Sequence, residues 1–529
     1  MLERSLLAPV CYPHAVEAVE MHETHISWVF LAGPYAYKVK KPVALGFLDF
    51  STLAARRRYC EEELRLNRRF APEIYLDVVE IRGTLAAPRI GGSGPLLDYA
   101  LRMRRFPQDA LATRLLARNA LTPELITDFA RDLGRLHTTL PPIGCNLPYG
   151  TTESVLRSAL QNFEQIAPLL ERDEDVQDLS ALRDWTEREF LARYGDLRGR
   201  RESGRVRECH GDLHLRNVVL LGGRLVPFDC IEFSAELRWN DVMSEVAFLV
   251  MDLMDHGAPD LAWTFLDAYL EETGDYAGLG VLRFYLVYRA MVRAKVHLMR
   301  ARQPTVAAQE CLRLVEAYRR YAKLARTCSD GARPVLIVMH GLSGSGKSSV
   351  AAALVPALGA VRIRSDVERK RLLGLAPLAA SGSELESGLY AADMTQATYV
   401  HLAAAAQAVA AAGYTAIVDA AFLKRSQRAG LVKVASSLGV PVTAIDAHAP
   451  VSVLRERIAH RAGDPSEATL EVLERQLITA EPIESSEGLQ VIAVDTTAAD
   501  AADAARAVAE RLAALALAPP IGRTELIPG

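Results

Sequence analysis

The sequence predicts a multidomain protein of the α/β and α+β classes, in which a small sheet and a helical region precede a doubly wound parallel sheet. The length predicts several cores, because 529 residues suggest two to four domains. Residues 122–203 and 239–325 are dominated by a helical pattern of apolar residues. After residue 334, apolar strands and helices alternate, which is typical of a parallel sheet.

The composition limits the classes of function. Half of the residues are hydrophobic and 24% are charged, as in ordinary globular proteins. A net charge of −4 gives no overall attraction to nucleic acid or to an anionic membrane. The 7 cysteines are scattered, without a Cys-x-x-Cys spacing, which argues against a disulfide framework or a zinc cage. Since no signal peptide or membrane span is recognisable, we expect a cytoplasmic protein with no membrane partner and leave its oligomeric state open.

The first part of the chain predicts a small sheet with one helix. Turn residues Gly33 and Pro34 separate a β-rich run from an alternating run that ends at Pro42. We expect a pair of strands at 26–32 and 35–43, a helix at 53–69, and two further strands at 75–81 and 99–104. The helical period is lost over 327–333, which we take as a domain boundary. The predicted domains are 1–328, with lobes of about 20–106 and 107–328, then 334–517, and a tail at 518–529.

A polar loop at residues 209–217 carries the chemistry of the first domain. It reads Cys-His-Gly-Asp-Leu-His-Leu-Arg-Asn, and Asp229 follows at the end of an apolar run. Protein kinases place a catalytic Asp, a metal-binding Asn and a metal-binding Asp at nearly these separations. We predict that Asp212 accepts or aligns the proton of a substrate hydroxyl. Asn217 and Asp229 are predicted to hold Mg²⁺ across the phosphates of ATP.

This pattern resembles the aminoglycoside phosphotransferase family of small-molecule kinases. His210-Gly211-Asp212 replaces the His-Arg-Asp of protein kinases, and Asp229-Cys230-Ile231-Glu232 replaces Asp-Phe-Gly. The resemblance covers roughly residues 20–325 and implies a protein-kinase-like fold. It also implies activity without a phosphorylation switch, because the Arg that pairs with an activation-loop phosphate is absent.

The resemblance further implies a lysine that meets the α- and β-phosphates of ATP. Lys38, in Ala-Tyr-Lys, is the first choice, and Lys40 on the same face of the strand is the alternative. Glu63 is the predicted partner of that lysine, with Glu61 and Glu62 as competitors. A solvated charged edge is the other interpretation of these residues. No Gly-x-Gly-x-x-Gly precedes Lys38.

A second phosphate-binding motif, Gly-Leu-Ser-Gly-Ser-Gly-Lys-Ser, fits the Walker A pattern between a strand and a helix. Its glycines let backbone N–H groups point at phosphate oxygens, while the helix adds its positive N-terminus. Lys347 is predicted to bridge the β- and γ-phosphates, and Ser348 and Asp419 to ligate Mg²⁺. The predicted nucleotide contacts in this motif are Gly341, Ser343, Gly344, Ser345, Gly346, Lys347, Ser348 and Ser349.

Beyond the second strand of this half, Asp366 and Arg369 form an Asp-x-x-Arg that resembles a group of P-loop kinases. The group includes polynucleotide kinase, gluconate kinase, chloramphenicol phosphotransferase and zeta toxins. The resemblance implies that Asp366 orients an acceptor hydroxyl and that Arg369 binds the acceptor. A helix N-cap is the alternative for Asp366.

Four further arginines are candidates for the same site. Arg425 and Arg428 are predicted to face the substrate, whereas Arg457 and Arg461 are predicted to belong to a lid over the phosphates. Arginines of solvated helices explain all four equally well.

The combination resembles bacterial proteins described as bifunctional aminoglycoside phosphotransferase/ATP-binding proteins. It implies an ATP- and Mg²⁺-dependent kinase whose two sites act on a hydroxyl of a small molecule, such as a sugar or aminosugar. Three alternatives remain open. In the first, the half of the chain with the Walker A motif phosphorylates a nucleic-acid end. In the second, that half senses nucleotide and regulates the half before residue 328. In the third, the half before residue 328 is an inactive pseudokinase.

Overall fold

The computed structural model describes residues 1–45, 48–144, 146–304, 306–331, 333–377, 379, 392–460, 468–498 and 500–517. The predicted tail at 518–529 and the predicted lid residue Arg461 lie outside these ranges. The chain forms two compact units. The first comprises Met1–Asp132, Leu136–Asp252 and Tyr288–Ala322, and the second comprises the described residues of Leu133–Arg135, Leu253–Val287 and Lys323–Gly529.

The first unit opens with a small antiparallel sheet and one long helix. Its elements are α1 (Leu2–Ser5), β1 (Val19–Glu23), β2 (Ser27–Ala32), β3 (Tyr35–Lys40), β4 (Ala44–Leu45), β5 (Leu48–Asp49), α2 (Leu53–Asn67), β6 (Tyr75–Thr84), β7 (Ala87–Ile90) and β8 (Leu96–Arg104). Six of the strands pair in the order β1-β2-β3-β8-β6-β7. β1 and β7 were not predicted, although Val19 and Met21 of β1 pack on the core and β7 alternates between exposed and buried residues. Each alternating run is only four or five residues long, so the pattern is weak in the sequence.

The alternation of side chains along β3 determines where the two candidate lysines of the first domain lie. Tyr37 and Val39 are buried in the apolar core of the sheet with Phe30. Since successive side chains of a strand point to opposite faces, Lys38 and Lys40 lie on the other face. The helix α2 begins where the Thr52 hydroxyl accepts a hydrogen bond from an amide of its first turn, and its Glu63 reaches both lysines.

Helices dominate the chain from residue 112 to residue 330. The elements are α3 (Ala112–Ala117), α4 (Pro123–Thr139), α5 (Thr152–Ile166), α6 (Asp173–Glu202), β9 (Val206–Glu208), β10 (Val218–Leu221), β11 (Arg224–Pro227), α7 (Ala235–Arg238), β12 (Trp239–Asp241), α8 (Val242–Asp255), α9 (Pro259–Thr273), α10 (Leu279–Ala301) and α11 (Ala308–Asp330). The predicted loss of helix from residue 327 is wrong in part, because α11 continues to Asp330. The hairpin β10–β11 turns at Gly222 and Gly223, whose positive φ angles of 54° and 81° suit a two-residue turn.

The second unit is built on a parallel sheet. Its further elements are β13 (Leu336–His340), α12 (Lys347–Leu358), β14 (Ala360–Arg364), α13 (Ser365–Leu372), α14 (Ala392–Ala411), β15 (Thr415–Asp419), α15 (Arg425–Leu438), β16 (Val442–His448), α16 (Val451–Ala459), α17 (Leu470–Thr479), β17 (Gln490–Asp495) and α18 (Ala501–Leu517). The strand order is β14-β15-β13-β16-β17, and every pair is parallel. The carboxyl ends of β13, β14 and β15 therefore meet at one edge, where ligands bind in such sheets.

The segment Leu253–Val287 belongs to this second unit. Within it, the ring of Trp263 from α9 lies 6.0 Å from that of Tyr414 and packs on the apolar core that α12 and the sheet enclose. The backbone N–H of Arg362 in β14 donates to Asp267 of α9 at 2.6 Å. The compact unit of the parallel sheet thus includes a helix from far upstream of residue 334.

Among the described residues, no helix combines the length and apolar character that crossing a bilayer requires.

Candidate active sites

The front site is centred on Lys38. Its Nζ atom donates to Glu63 Oε1 at 2.7 Å and to Asp229 Oδ1 at 2.6 Å. Burial alone would lower the pKa of Lys38, but the charges of Asp229 and Glu63 outweigh burial and hold that pKa well above its ordinary value. The lysine therefore stays positively charged between two carboxylates.

Lys40 meets the other oxygen of the same carboxylate. Its Nζ donates to Glu63 Oε2 at 2.8 Å and also pairs with Glu232, and its side chain is 1% exposed. Burial would raise the pKa of Glu63, but the two lysines lower it to about 2. The competing acids Glu61 and Glu62 pair instead with arginines of their own helix. The solvated-edge interpretation therefore does not fit Lys38, Lys40 and Glu63.

Asp212 is held by its own loop. The Asn217 side-chain amide donates to the Asp212 backbone oxygen at 3.0 Å and to its Oδ2 at 3.1 Å, and His214 Nε2 lies 3.3 Å from that Oδ2. Burial opposes ionisation, but His214 and then Arg293 keep the pKa of Asp212 below its usual range. An ionised carboxylate with a low pKa is a weak base, so Asp212 is better suited to aligning a hydroxyl than to removing its proton early.

The hairpin β10–β11 brings the two predicted metal ligands to its open end. Asn217 precedes β10, and its backbone oxygen accepts a hydrogen bond from Phe228 N–H at 2.9 Å, next to Asp229. The backbone of Asp229 has a φ of 66°, in the left-handed region that non-glycine residues seldom adopt. Its N–H donates to the Tyr75 hydroxyl at 2.9 Å, which helps to hold this conformation. Strained backbone at a predicted metal ligand is typical of functional sites.

Two acids of α8 that we did not predict anchor the catalytic loop. Glu245 accepts hydrogen bonds from the N–H groups of His210, at 2.9 Å, and Gly211, at 2.8 Å. Asp252 accepts one from Leu215 N–H at 2.9 Å. Both acids are buried within a largely apolar helix. A carboxylate inside an apolar helical run was the signal that could have identified them, since buried charges need partners.

Glu245 also belongs to a buried group that could in principle hold a metal. Ligand atoms of His137, Cys209 and Glu245 lie within 4.8 Å of one another. Burial raises the pKa of the Cys209 thiol well above its ordinary value, whereas metals bind the thiolate. Since both Glu245 oxygens already accept backbone hydrogen bonds, the group fits structural support better than metal binding.

The rear site forms where α12 begins. Ser348 Oγ donates to Asp419 Oδ1 at 3.0 Å, so the two predicted Mg²⁺ ligands are adjacent. Hydroxyl and carboxylate oxygens are the donors that Mg²⁺ prefers, and this pair fits it. The surrounding cavity is lined by Gly344, Gly346, Lys347, Ser348, Ser349, Arg364, Ser365, Asp366, Asp419 and Arg457.

Three predicted nucleotide contacts of the Walker A loop lie outside this lining and are bound elsewhere. Gly341 N–H donates to the backbone oxygen of Ala421 at 3.2 Å. Ser343 N–H donates to the side chain of Gln476, in α17, at 2.8 Å. The backbone oxygen of Ser345 accepts a hydrogen bond from the Thr496 hydroxyl at 2.8 Å. In this structure these three residues shape the loop.

Asp366 and Arg369 share the first turns of α13. Asp366 lines the cavity, and its Oδ1 lies 3.4 Å from Arg369 NH1. The N-cap of α13 is Arg364, so Asp366 does not occupy the capping position that was its alternative interpretation. The geometry leaves Asp366 available to a ligand in the cavity.

The remaining predicted arginines have different surroundings. Arg457 lines the cavity and donates to the Gly344 backbone oxygen at 3.3 Å and to the Thr496 hydroxyl at 2.9 Å. Arg425 is half exposed and pairs with Glu484 at 3.2 Å, away from the cavity lining.

The predicted substrate contact of Arg428 is wrong. Its side chain is fully buried, and its guanidinium binds Glu487 through two hydrogen bonds of 2.7 Å. Further hydrogen bonds run to the backbone oxygens of Phe422, Glu481 and Pro482. All of its donor groups are used to hold a loop, and none is left for a substrate.

Two segments of the chain match known protein families. Residues 47–285 match the family APH, described as "Phosphotransferase enzyme family", and residues 336–483 match AAA_33, described as "AAA domain". An uncharacterized protein of Mycobacterium tuberculosis strain H37Rv is 29% identical over 456 residues, which cover 86% of this chain and 88% of the relative.

Solved structures show more distant similarity. A gluconokinase from Sinorhizobium meliloti 1021 is 28% identical over 35% of this chain and 97% of its own, with a TM-score of 0.26. An ethanolamine kinase from Plasmodium vivax is 10% identical over 57% of this chain and 82% of its own, with a TM-score of 0.35. The two family matches confirm the predicted resemblance and the predicted fold class.

Proposed function

Because this chain is a phosphotransferase in which an APH domain precedes a P-loop kinase domain, we propose that it holds two ATP- and Mg²⁺-dependent kinase sites. Each site transfers the γ-phosphoryl group of ATP to a hydroxyl of a small molecule, and sugars and aminosugars are the first acceptors to test. The observation that carries the proposal is the short contact between Lys38, which we assign to the phosphates, and Asp229, which we assign to the metal.

In the front site, each contact of Lys38 has a role when nucleotide binds. Glu63 holds the ammonium in place, and the ammonium binds the phosphates. Asp229 and Asn217 hold Mg²⁺, which neutralises charge on the phosphates. Asp212 aligns the acceptor hydroxyl for in-line attack, supported by the hydrogen bond from Asn217.

In the rear site, the loop backbone takes the place of the buried lysine. The amides at the start of α12 and the Lys347 side chain bind the β- and γ-phosphates, while Ser348 and Asp419 hold Mg²⁺. Asp366 aligns the second acceptor hydroxyl, and Arg369 binds the acceptor or its phosphate.

The test is a metabolite-library screen for ATP-dependent phosphorylation by the wild type and by Asp212→Asn and Lys347→Ala proteins. We expect Asp212→Asn to reduce front-site turnover by about 100- to 10,000-fold, because the carboxylate that aligns the acceptor hydroxyl is lost. Lys347→Ala should remove the rear-site product alone. Asp109→Asn, a change of the same chemistry at an exposed residue, is the matched control.

The outcomes separate the alternatives. Unchanged front-site turnover in Asp212→Asn would contradict the assignment and support an inactive pseudokinase. A Lys347→Ala protein that loses no product but alters the front-site rate would indicate a nucleotide sensor. Phosphorylation of an oligonucleotide end, with binding that weakens steeply as salt rises, would indicate a nucleic-acid kinase.

A further inference from the structure

A chain of buried charges connects the rear metal site to α9. Arg364, the last residue of β14, lines the nucleotide cavity. Its Nε atom lies 3.8 Å from Asp419 Oδ2, and its NH1 atom lies 3.7 Å from Glu271 Oε2. Glu271 belongs to α9, which is part of the same compact unit as the parallel sheet.

The α9 end of this chain of charges is fixed by β14. Glu271 Oε2 accepts a hydrogen bond from Arg362 NH2 at 3.2 Å. Asp267, one turn earlier in α9, accepts the backbone N–H of Arg362 at 2.6 Å. The side chains of Asp267 and Glu271 are 8% and 5% exposed, so both interactions are shielded from water. These contacts hold Glu271 at a fixed place beside Arg364.

Arg364 thus lies at nearly equal distances from two carboxylates, both longer than a direct hydrogen bond. Asp419 uses its other oxygen to accept the hydroxyl of Ser348. An arginine that moved fully onto Asp419 would neutralise that carboxylate and compete with a cation for its oxygens. The charge of Glu271 opposes this movement, because it attracts the same guanidinium from the other side.

We propose that Glu271 is a positioning residue of the rear site, which draws Arg364 away from Asp419 and so keeps that carboxylate able to bind Mg²⁺. The inference rests on the proposed function of the rear site. Glu271 lies within the segment that matches the phosphotransferase family, upstream of the P-loop match. The rear metal site therefore takes one of its determinants from the sequence of the front half.

The test measures the Mg²⁺ dependence of binding of a fluorescent, non-hydrolysable ATP analogue to the full-length protein, with the Lys347→Ala protein as the blank for the rear site. We expect Glu271→Gln to raise the Mg²⁺ concentration at half-saturation about 10-fold, the size of a typical coupling within one charge network. Glu272→Gln is the matched control, since Glu272 lies next along α9 and pairs with Arg135 instead. It should leave the Mg²⁺ dependence unchanged.

A second substitution distinguishes positioning from general damage. Adding Arg364→Met to Glu271→Gln should restore the Mg²⁺ dependence towards that of the wild type, because the competing guanidinium is gone. Glu271→Asp, which keeps the charge, should stay within about 3-fold of the wild type. If Glu271→Gln fails to fold, Arg364→Met alone still tests the inference, and it should bind Mg²⁺ at least as well as the wild type.

Two results would overturn the inference alone. They are a Glu271→Gln protein with wild-type Mg²⁺ dependence, and an Arg364→Met protein that needs about 10-fold more Mg²⁺. A third result is analogue binding that is independent of Mg²⁺ in the wild type and unchanged in the Lys347→Ala protein. That result would overturn the proposed function of the rear site together with the inference.

Discussion

The front and rear sites, for which we propose the same nucleotide ligand, are built in different ways. The front site uses buried side chains, in which Lys38 and Lys40 share Glu63, and Lys40 also meets Glu232. The rear site uses a glycine-rich backbone loop and one hydroxyl–carboxylate pair, Ser348 and Asp419. The front site therefore depends on compensation of charge, whereas the rear site depends on backbone shape.

The difference determines which substitutions each site tolerates. Removing one partner of a buried ion pair leaves an uncompensated charge in a low-dielectric interior. Removing the freedom of a glycine forces the loop out of the conformation that points its amides at phosphate. The two sites should thus fail for separate reasons, and single substitutions can show this.

The largest expected effect separates the two front lysines. Lys38→Met should reduce front-site turnover about 100- to 1,000-fold with little loss of stability, because Glu63 retains Lys40. Lys40→Met should destabilise the first unit by about 3–5 kcal/mol, because Glu232 loses its buried partner. Turnover assays and chemical unfolding of the same proteins measure the two effects.

Lys41→Met is the control for this pair. Lys41 is the next lysine along the chain, and its partner Glu23 is exposed. It should change neither turnover nor stability appreciably. Equal effects of Lys38→Met and Lys40→Met on turnover, with equal effects on stability, would refute the division of roles.

A smaller effect is expected for a glycine of the rear loop. Gly341 has a φ of 141°, and a Cβ atom there would lie 2.3 Å from the backbone oxygen of Ala447. Gly341→Ala should weaken rear-site nucleotide binding roughly 100-fold, through displacement of the loop, and leave front-site turnover intact. Isothermal titration with an ATP analogue measures the change.

Gly430→Ala provides the matched comparison. Gly430 lies within α15, and a Cβ atom there would meet nothing within 4 Å. It should bind nucleotide normally and gain slightly in stability, as alanine does in place of glycine in a helix. Normal rear-site binding by Gly341→Ala would show that the loop tolerates displacement.

The sequence predicted those parts of both sites that depend on short spacings. Asp212, Asn217 and Asp229 lie on one loop and hairpin, and the Walker A residues lie on one strand–loop–helix, so local chain geometry brings them together. The pairing of Lys38 with Glu63 crosses only from β3 to α2. Such contacts follow from secondary structure and its alternation.

Contacts between distant segments could not be read in the same way. Glu271 reaches Arg362 across 91 positions, and no periodicity in either segment indicates the pairing. Arg428 was misinterpreted for a related reason. A solvated, a substrate-binding and a fully buried arginine look alike in a sequence, and only the partners, here Glu487 and three backbone oxygens, distinguish them.

The smallest expected effect is a difference in pH dependence between the two units. Burial, opposed by Arg362 and aided by Glu271, raises the pKa of Asp267 to about 6, above the value of about 3.9 for an unfolded chain. Between about pH 3.9 and about pH 6, Asp267 is therefore protonated in the folded protein and ionised in the unfolded chain. The stability that Asp267 contributes is therefore full below about pH 3.9 and is lost as the pH rises through about 6.

Glu63 has the opposite sign, and it titrates outside that window. Its pKa is lowered to about 2, so its contribution is present above about pH 4.3 and is lost as the pH falls towards 2. When the pH falls from 7 to 5, the free energy of unfolding of the wild type should accordingly rise by about 1 kcal/mol relative to that of Asp267→Asn. Over the same range the unfolding free energies of a Glu63→Gln protein and the wild type should change with pH in parallel. Urea unfolding at pH 5, 6 and 7 measures these slopes. Parallel pH profiles for the wild type and Asp267→Asn would mean that Asp267 stays ionised beside Arg362 throughout this range.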